Sequence, residues 1–342
     1  MKLFLAVPVL VLLLFSRQCA CEPQSVPPTA EADTELVHAR ELLAKSELDA
    51  AERATREYIT RHPSAPDGHF LLGLILFRQV QSLARPSGSG LTPGDIPSQT
   101  MDTHLRDQKI QASLVAYTEG AKFGKPSASD LKIVSLDYVL LEDYASADKW
   151  LTLALEWDSR DAEGWYYLGR TKYSENRFEE AVAAYRKCLE LQPSYVLAAN
   201  GMGLSYAGLN KNAEAVFWLQ KAISLQEGAD EKTPEPYIDL GDLLNQQARF
   251  EEGLPVLQRA VAIDPKNIRA HEKLGKTYLS LNRLGDAQHE LETAISLDPN
   301  QASFHYLLGQ IYRRLGQLEK AKSELARFEA LKAKEPRKSG MQ

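Results

Sequence analysis

A period of 34 residues organises most of this 342-residue chain. Small residues recur every 34 residues along the chain, except that Gly203 and Gly241 are 38 residues apart. Gly73 lies 96 residues before Gly169, which is 28 more than two periods. The agreement of several registers predicts a repeat array with insertions of 4 and 28 residues. The three registers are Gly169, Gly203, Gly241, Gly275 and Gly309; Ser113, Ala147, Ala181, Ala215, Gly253, Ala287 and Ala321; and Ala154, Cys188, Ala222, Ala260 and Ala294.

Residues 162–195 form the clearest repeat unit. Apolar and small residues fall at helical spacing in two segments of this unit, which predicts two amphipathic helices. Gly169 and Ala181 are small, and we expect the backbones of the two helices to approach closely where they cross. The residues that carry the pattern are Trp165, Leu168, Gly169, Ala181, Tyr185, Cys188, Leu191 and Pro193.

This unit resembles the tetratricopeptide repeat (TPR), and departs from it at Lys172, where Tyr is usual, and at Cys188, where Ala is usual. The resemblance implies an all-α fold, a right-handed superhelical α-solenoid of about eight helix-turn-helix repeats, each contacting mainly its neighbours. The first and third repeats are degenerate, with Ala39 and Ser135 in the Gly register. The predicted array spans residues 32–335, with repeats at 32–65, 66–127, 128–161, 162–195, 196–229, 234–267, 268–301 and 302–335.

The two insertions differ in position and composition. The shorter one falls between repeats, around Gly228 to Pro234, and we interpret it as a loop. The longer one covers residues 80–107, inside the second repeat, in place of the turn between its two helices. It is rich in Pro, Gly and Ser, so most of it is predicted to be non-helical. Extra loop length costs little stability, which leaves open a passive loop and a docking element.

The N-terminus reads as a secretory signal peptide, residues 1–21, followed by a linker, residues 22–31. An apolar run of 13 residues, Leu3 to Phe15, follows Lys2, and this is shorter than the roughly 20 residues of a transmembrane helix. Cleavage before Glu22 would export the protein to a periplasm or cell envelope or to the medium. A lipid anchor at Cys21 and an uncleaved anchor are alternatives. Residues 336–342 form a basic tail. We interpret it either as a solubilising cap or as a docking site for an anionic partner.

Composition and motifs argue against several function classes. The net charge of -6 disfavours nucleic acid as a partner. His271-Glu272 and His289-Glu290 begin like a zinc-protease motif, but Gly275 and Thr293 occupy the place of its second His. His271 and His305 occupy the repeat position of Trp165. We interpret them as packed rings rather than as metal ligands. Cys188 reads as a buried core residue. The chain is therefore predicted not to be an enzyme and to use no cofactor or metal.

Function is then expected on the concave face, which the first helix of each repeat lines in the TPR family. An apolar, aromatic face with cations suits an extended or helical peptide. The alternatives are packing between repeats, for Phe70, Leu74 and Phe77 especially, and binding of an envelope glycan. Acidic residues near Asp242 precede basic ones near Lys276, which would fix a ligand's direction unless the charges are merely solvated. The candidate contacts are Phe70, Leu74, Phe77, Lys132, Tyr166, Arg170, Tyr173, Asn200, Asp242 and Lys276.

Overall fold

The structure, a computed structural model, describes residues 30–83, 103–228 and 232–334, and these form sixteen α-helices with no strand among them. The all-α prediction is confirmed. The chain divides into two compact units, Met1–Arg177 and Phe178–Gln342. The helices of the first unit are α1 Ala30–Ala44, α2 Leu48–Arg61, α3 Pro66–Leu83, α4 Thr103–Gly120, α5 Ala128–Leu140, α6 Tyr144–Trp157 and α7 Ala162–Ser174.

The second unit contains nine of the described helices, and within both units each helix packs against the next one along the chain. We call the odd-numbered helices first helices and the even-numbered ones second helices. The bounds are α8 Phe178–Leu191, α9 Val196–Gly208, α10 Asn212–Leu225, α11 Glu235–Gln246, α12 Phe250–Ile263, α13 Ile268–Ser280, α14 Leu284–Leu297, α15 Ala302–Arg314 and α16 Leu318–Lys334.

The turn that follows a first helix repeats with the period of the sequence. Where the structure describes this turn, after each first helix except α3, one residue has a positive φ, as at Asn176, Asn210 and Asn282. Asn tolerates this left-handed conformation better than most residues do. The N–H of Asn176 then donates to the carbonyl of Tyr173 at 2.9 Å, which satisfies a carbonyl at the end of α7. The full set of positive-φ residues is Ser46, Glu142, Asn176, Asn210, Ala248, Asn282 and Gly316.

Small residues allow the two helices of a pair to approach closely in the second unit. A Cβ built on Gly203 would stand 2.7 Å from Cγ of Leu219 and 3.1 Å from the backbone oxygen of Ala215. Both distances are shorter than van der Waals contact, so only glycine fits there. The same Gly-to-Leu approach recurs sixteen residues apart at Gly241 and Leu257, Gly275 and Leu291, and Gly309 and Leu325.

Both ends of the predicted insertion are helical. α3 continues to Leu83 and α4 begins at Thr103, so residues 80–83 and 103–107 are helical. Val80 is buried, and the Lys109 ammonium donates to the Gln79 amide oxygen at 2.7 Å, which ties the extended part of α3 to α4. The predicted signal peptide with Cys21, most of the linker, residues 84–102 of the insertion and the basic tail at 336–342 lie outside the described residues.

Candidate functional site

The first helices form a layer within each unit. In the second unit α11 packs against both α9 and α13, and in the first unit α3 packs against both α1 and α5. Within the described residues, the second helices pack on first helices and not closely on one another. Among α1, α3 and α5 and among α9, α11 and α13, consecutive first helices therefore lie closer together than consecutive second helices do. This places the layer of first helices on the inner side of each unit's curvature, and we call it the first-helix face.

The three α3 candidates are mainly packing residues. Phe70 is buried, with its ring stacked on Tyr117 at a centroid distance of 6.1 Å and an interplanar angle of 24°. Phe77 is also buried, and Leu74 is half-buried against the core cluster that contains Ile75. Of the three, Leu74 keeps the most surface for a partner, and the packing alternative accounts for the two phenylalanines.

Lys132 on α5 is tied to the start of α7 rather than free to meet a ligand. Its Nζ lies 2.7 Å from an Asp161 carboxylate oxygen and 2.8 Å from one of Glu163. Burial alone would lower the pKa of Lys132, but the hydrogen bonds to these two carboxylates outweigh it and raise the pKa. Lys132 is therefore a cross-repeat link in the structure.

The α7 candidates are packed to different degrees. Tyr166 is only 5% exposed, and its ring is tilted against that of Tyr167 at a centroid distance of 5.2 Å. The Arg170 guanidinium lies 5.9 Å from the centre of the Tyr166 ring, at the outer limit of a cation–π contact. Arg170 and Tyr173 are half-buried. The structure thus brings Tyr166 and Arg170 together, but Tyr166 offers no open ring face.

A hydrogen-bonded ladder joins three first helices of the second unit. Asn200 of α9 donates through Nδ2 to Asp239 of α11 at 2.8 Å, and Arg269 of α13 donates to the other carboxylate oxygen at 3.0 Å. Asn200 and Asp239 are buried, whereas the Arg269 side chain is 55% exposed. Asn200 therefore links the first helices α9 and α11. The sequence did not identify Asp239 as the partner of Asn200.

The acidic and basic residues that follow on this face pair with each other. Asp242 of α11 lies 2.8 Å from Lys273 of α13, and Lys276 pairs with Glu272 one turn earlier on its own helix. The sign change that the sequence predicts between Asp242 and Lys276 is present but largely neutralised by these pairs. Such half-exposed pairs contribute little stability, and a charged ligand group could replace either partner.

The side chains at the Trp165 position of the repeat make a hydrogen bond that the sequence did not predict. Trp165, His69, His271 and His305 each use a ring nitrogen to reach the carbonyl six residues earlier, at 2.8–3.0 Å. In the second unit the other ring nitrogen of His271 lies 2.7 Å from Glu290, and that of His305 lies 2.6 Å from Glu324. The Pro265 carbonyl and the Glu290 carboxylate both only accept, so the His271 ring makes both hydrogen bonds when each of its nitrogens carries a proton. His271 and His305 are buried, and each also lies within hydrogen-bond distance of a carboxylate.

We expect Glu290→Gln to lower the pKa of His271. The hydrogen bond to Glu290 is the largest cause of the raised pKa of this imidazole, opposed by burial and helped by the Pro265 carbonyl. Because the folded-state pKa is raised, the stabilisation is complete below about pH 6.5 and is lost as the pH rises through the folded value. NMR titration of the His271 ring in both proteins measures this, and an unchanged pKa would contradict it.

One carboxyl in the first unit is fully enclosed. Asp137 of α5 is 0% exposed; its Oδ2 lies 2.6 Å from the Ser113 hydroxyl, and its Oδ1 has no hydrogen-bond partner. The same hydroxyl lies 3.0 Å from the Gly73 carbonyl oxygen. One hydroxyl has one proton, so both contacts are hydrogen bonds only if Asp137 is protonated and donates to Ser113. Burial raises the pKa of Asp137 well above its usual range, against a lowering by Ser113.

Across residues 30–83, 103–228 and 232–334, no three His, Cys, Asp or Glu side chains lie close enough together to hold a metal ion. Nor does any helix in these ranges have the length and apolar character needed to cross a membrane.

Tetratricopeptide-repeat models match more than half of the chain, so the chain belongs to the tetratricopeptide-repeat family. The matched segments are residues 36–84, 162–195, 198–228, 241–282, 275–316 and 302–334.

Two curated relatives match part of the array. The peroxisomal targeting signal receptor of Kluyveromyces lactis is 34% identical over 86 residues, 25% of this chain and 15% of that protein. Protein O-mannosyl-transferase TMTC3 of Mus musculus is 26% identical over 141 residues, 38% of this chain and 15% of that protein. In both cases the alignment spans about 15% of the relative.

Two solved structures align with part of the chain. PilW, described as a type IV pilus biogenesis factor, aligns with a TM-score of 0.55 and 22% identity, over 63% of this chain and 97% of its own. YrrB, described as a TPR protein with an unusual peptide-binding site, aligns with a TM-score of 0.44 and 26% identity, over 54% and 93%. The PilW likeness shows the α-solenoid fold alone.

Proposed function

We propose that this TPR protein is a non-enzymatic scaffold that binds a protein or peptide partner on its first-helix face. The observation that carries the proposal is a column of side chains, one per first helix, on this face. In the second unit the column is Leu204, Asp242, Lys276 and Gln310, and each of these side chains is half-buried rather than enclosed. An apolar position followed by polar ones, spaced by one repeat, suits an extended peptide that crosses several repeats.

The energetic logic favours a peptide ligand. The layer is held by contacts that exist without a partner, such as Asn200 with Asp239, so the face is preorganised. The half-exposed pairs Asp242 with Lys273 and Lys276 with Glu272 can each exchange one partner for a ligand group of like charge. The targeting signal receptor that matches part of this array is, by its name, also a recognition protein.

The glycan alternative gains no support from the site. It relied on the rings of Tyr166 and Tyr173 as a stacking surface for sugars. Tyr166 is buried against Tyr167, and Tyr173 is half-buried. A protein or peptide partner therefore remains the proposal.

We expect a charge-reversed first-helix face to lose peptide binding. Peptides selected from a random displayed library on the wild-type protein would be measured by fluorescence anisotropy against Lys276→Glu combined with Arg313→Glu. Arg313 is exposed one turn after Gln310 on α15. We expect Kd to rise about tenfold or more, a loss typical of interface anchor residues.

The matched control carries the same charge change on second helices. Lys221 of α10 and Arg259 of α12 are exposed, so Lys221→Glu with Arg259→Glu preserves net charge relative to the test variant. The control should bind the selected peptides like the wild type. Equal binding by both variants, or equal loss in both, would remove the assignment to the first-helix face.

We also propose that the chain is exported, on the strength of the apolar run from Leu3 to Phe15. We expect the protein purified from its native source to begin at Glu22. Intact-mass measurement tests this: retention of Met1 to Cys21 would contradict cleavage, and an added lipid mass at Cys21 would indicate an anchor.

A further inference from the structure

An open cleft of about 420 Å³ lies along α6 in the first unit. Ala145 and Leu153 give it apolar walls, and Thr152 is exposed within it. Asp148, Lys149, Glu156 and, from α7, Lys172 complete the lining.

The repeat register explains why the cleft is there. Tyr278 and Tyr312 occupy the place of Lys172 in later repeats. The Tyr278 hydroxyl accepts a hydrogen bond from Gln258 Nε2 at 2.9 Å, and the Tyr312 hydroxyl donates to Glu292 at 2.6 Å. In both cases the partner is 20 residues earlier, on the preceding second helix. A phenol side chain therefore spans this position in these two repeats, whereas Leu244 occupies it in the repeat of α11.

The repeat that contains α7 lacks that ring, whereas the preceding repeat has Tyr138 at the same register position. The residue 20 before Lys172 is Thr152, which lines the cleft. Lys172 instead reaches Asp148, one turn earlier on α6, with 2.6 Å between Nζ and the carboxylate, and Arg177 bonds the same oxygen at 2.7 Å. Burial alone would raise the pKa of Asp148, but these hydrogen bonds from Lys172 and Arg177 lower it. The lysine is thus held at Asp148, and the surface beside Thr152 and Leu153 stays open.

We infer that this cleft binds an aromatic side chain of a partner protein, tyrosine in particular. We choose tyrosine as the occupant because Tyr278 and Tyr312 fill the equivalent position in two later repeats. A planar ring would lie against Leu153 and Ala145, the Thr152 hydroxyl could pair with the phenol, and the Lys172 ammonium favours the face of an aromatic ring. The cleft is on a second helix, so this site does not depend on the proposed first-helix face.

The test uses the full chain and two probes, N-acetyltyrosinamide and N-acetylleucinamide. Binding of each probe is monitored through the NMR signals of the Leu153 methyl groups. We expect saturable shifts with the tyrosine probe at roughly millimolar Kd, as befits so small a ligand, and weaker binding of the leucine probe. Ala145→Trp, at an exposed position in the lining, and Lys172→Tyr, which restores the missing ring, should each weaken binding about tenfold or more.

The control is Lys187→Tyr, the same chemical change at an exposed site on α8, which should bind the probe like the wild type. The Lys276→Glu and Arg313→Glu variant should also bind normally, which separates this site from the first-helix face. Should Lys172→Tyr not fold, as judged by circular dichroism, Ala145→Trp decides alone. Absence of a saturable Leu153 shift in the wild type, or undiminished binding to Ala145→Trp, would overturn the inference.

Discussion

We expect Asp137→Asn to raise the free energy of unfolding at pH 7. A Ser113 hydroxyl that donates to the Gly73 carbonyl can only accept from Asp137, which requires a protonated carboxyl in the folded state. The unfolded chain releases that proton near pH 4. Holding an aspartic acid neutral at pH 7 costs about 4 kcal/mol, at 1.36 kcal/mol per pH unit. Asparagine removes this cost but leaves an extra N–H to satisfy, at roughly 1–3 kcal/mol. The net expected gain is about 1–3 kcal/mol, measured by urea denaturation.

The pH dependence gives a second readout of the same group. With its folded-state pKa raised, Asp137 binds a proton in the folded state over a pH range in which the unfolded state does not. The stability of the wild type relative to the variant therefore falls as pH rises above about 4, by up to roughly 1.4 kcal/mol per unit. Asp137→Thr should behave like Asp137→Asn, because Thr171 and Thr277 occupy the same register position in other repeats.

The control for Asp137 is Asp67→Asn, an exposed carboxyl in the same unit. It should change stability by no more than about 0.5 kcal/mol, as surface substitutions usually do. A flat difference between wild type and Asp137→Asn from pH 4 to pH 8 would show that Asp137 is ionised in the folded protein, contrary to the hydrogen-bond geometry.

Periodicity predicted the repeat fold because each repeat meets the same local demands. A residue that must be small, such as Gly203 beside Leu219, recurs wherever two helices cross, so the pattern is visible in one sequence. The turn residues Asn176, Asn210 and Asn282 recur for a similar reason. The ends of the 80–107 insertion were harder to predict, because residues such as Gln79 and Val80 are fixed by contacts with the facing helix rather than by local pattern.

The candidate site was less predictable because helical spacing locates a face but not its partners. Phe70 and Tyr166 were placed on the expected helices, yet both are buried by neighbouring aromatic side chains, Tyr117 and Tyr167. Asn200 was selected without Asp239, which lies 39 residues away. A position-by-position comparison of the repeats could have identified Asp137. Its partner Ser113 occupies a position at which the other repeats have Ala or Gly.

We expect Gly241→Ala to destabilise the second unit, although alanine is the better helix former by about 1 kcal/mol. The added Cβ would press on Cγ of Leu257 and lie 2.7 Å from its Cδ2, and Leu257 is fully buried. Cγ is a branch point rather than the end of a flexible chain, so the helices α11 and α12 must separate. Overpacking of this kind costs about 1–3 kcal/mol, measured by urea denaturation.

Gly285→Ala is the matched control, because a Cβ at Gly285 in α14 meets no atom within 4 Å. It should be neutral or stabilising by up to about 1 kcal/mol. A double-mutant cycle then identifies the clash. Leu257→Ala alone leaves a cavity, at about 2–5 kcal/mol, but it also removes the atoms that the new Cβ meets. The double variant should therefore lose less stability than the two single losses combined. Strict additivity would mean that Leu257 is not what requires glycine at position 241.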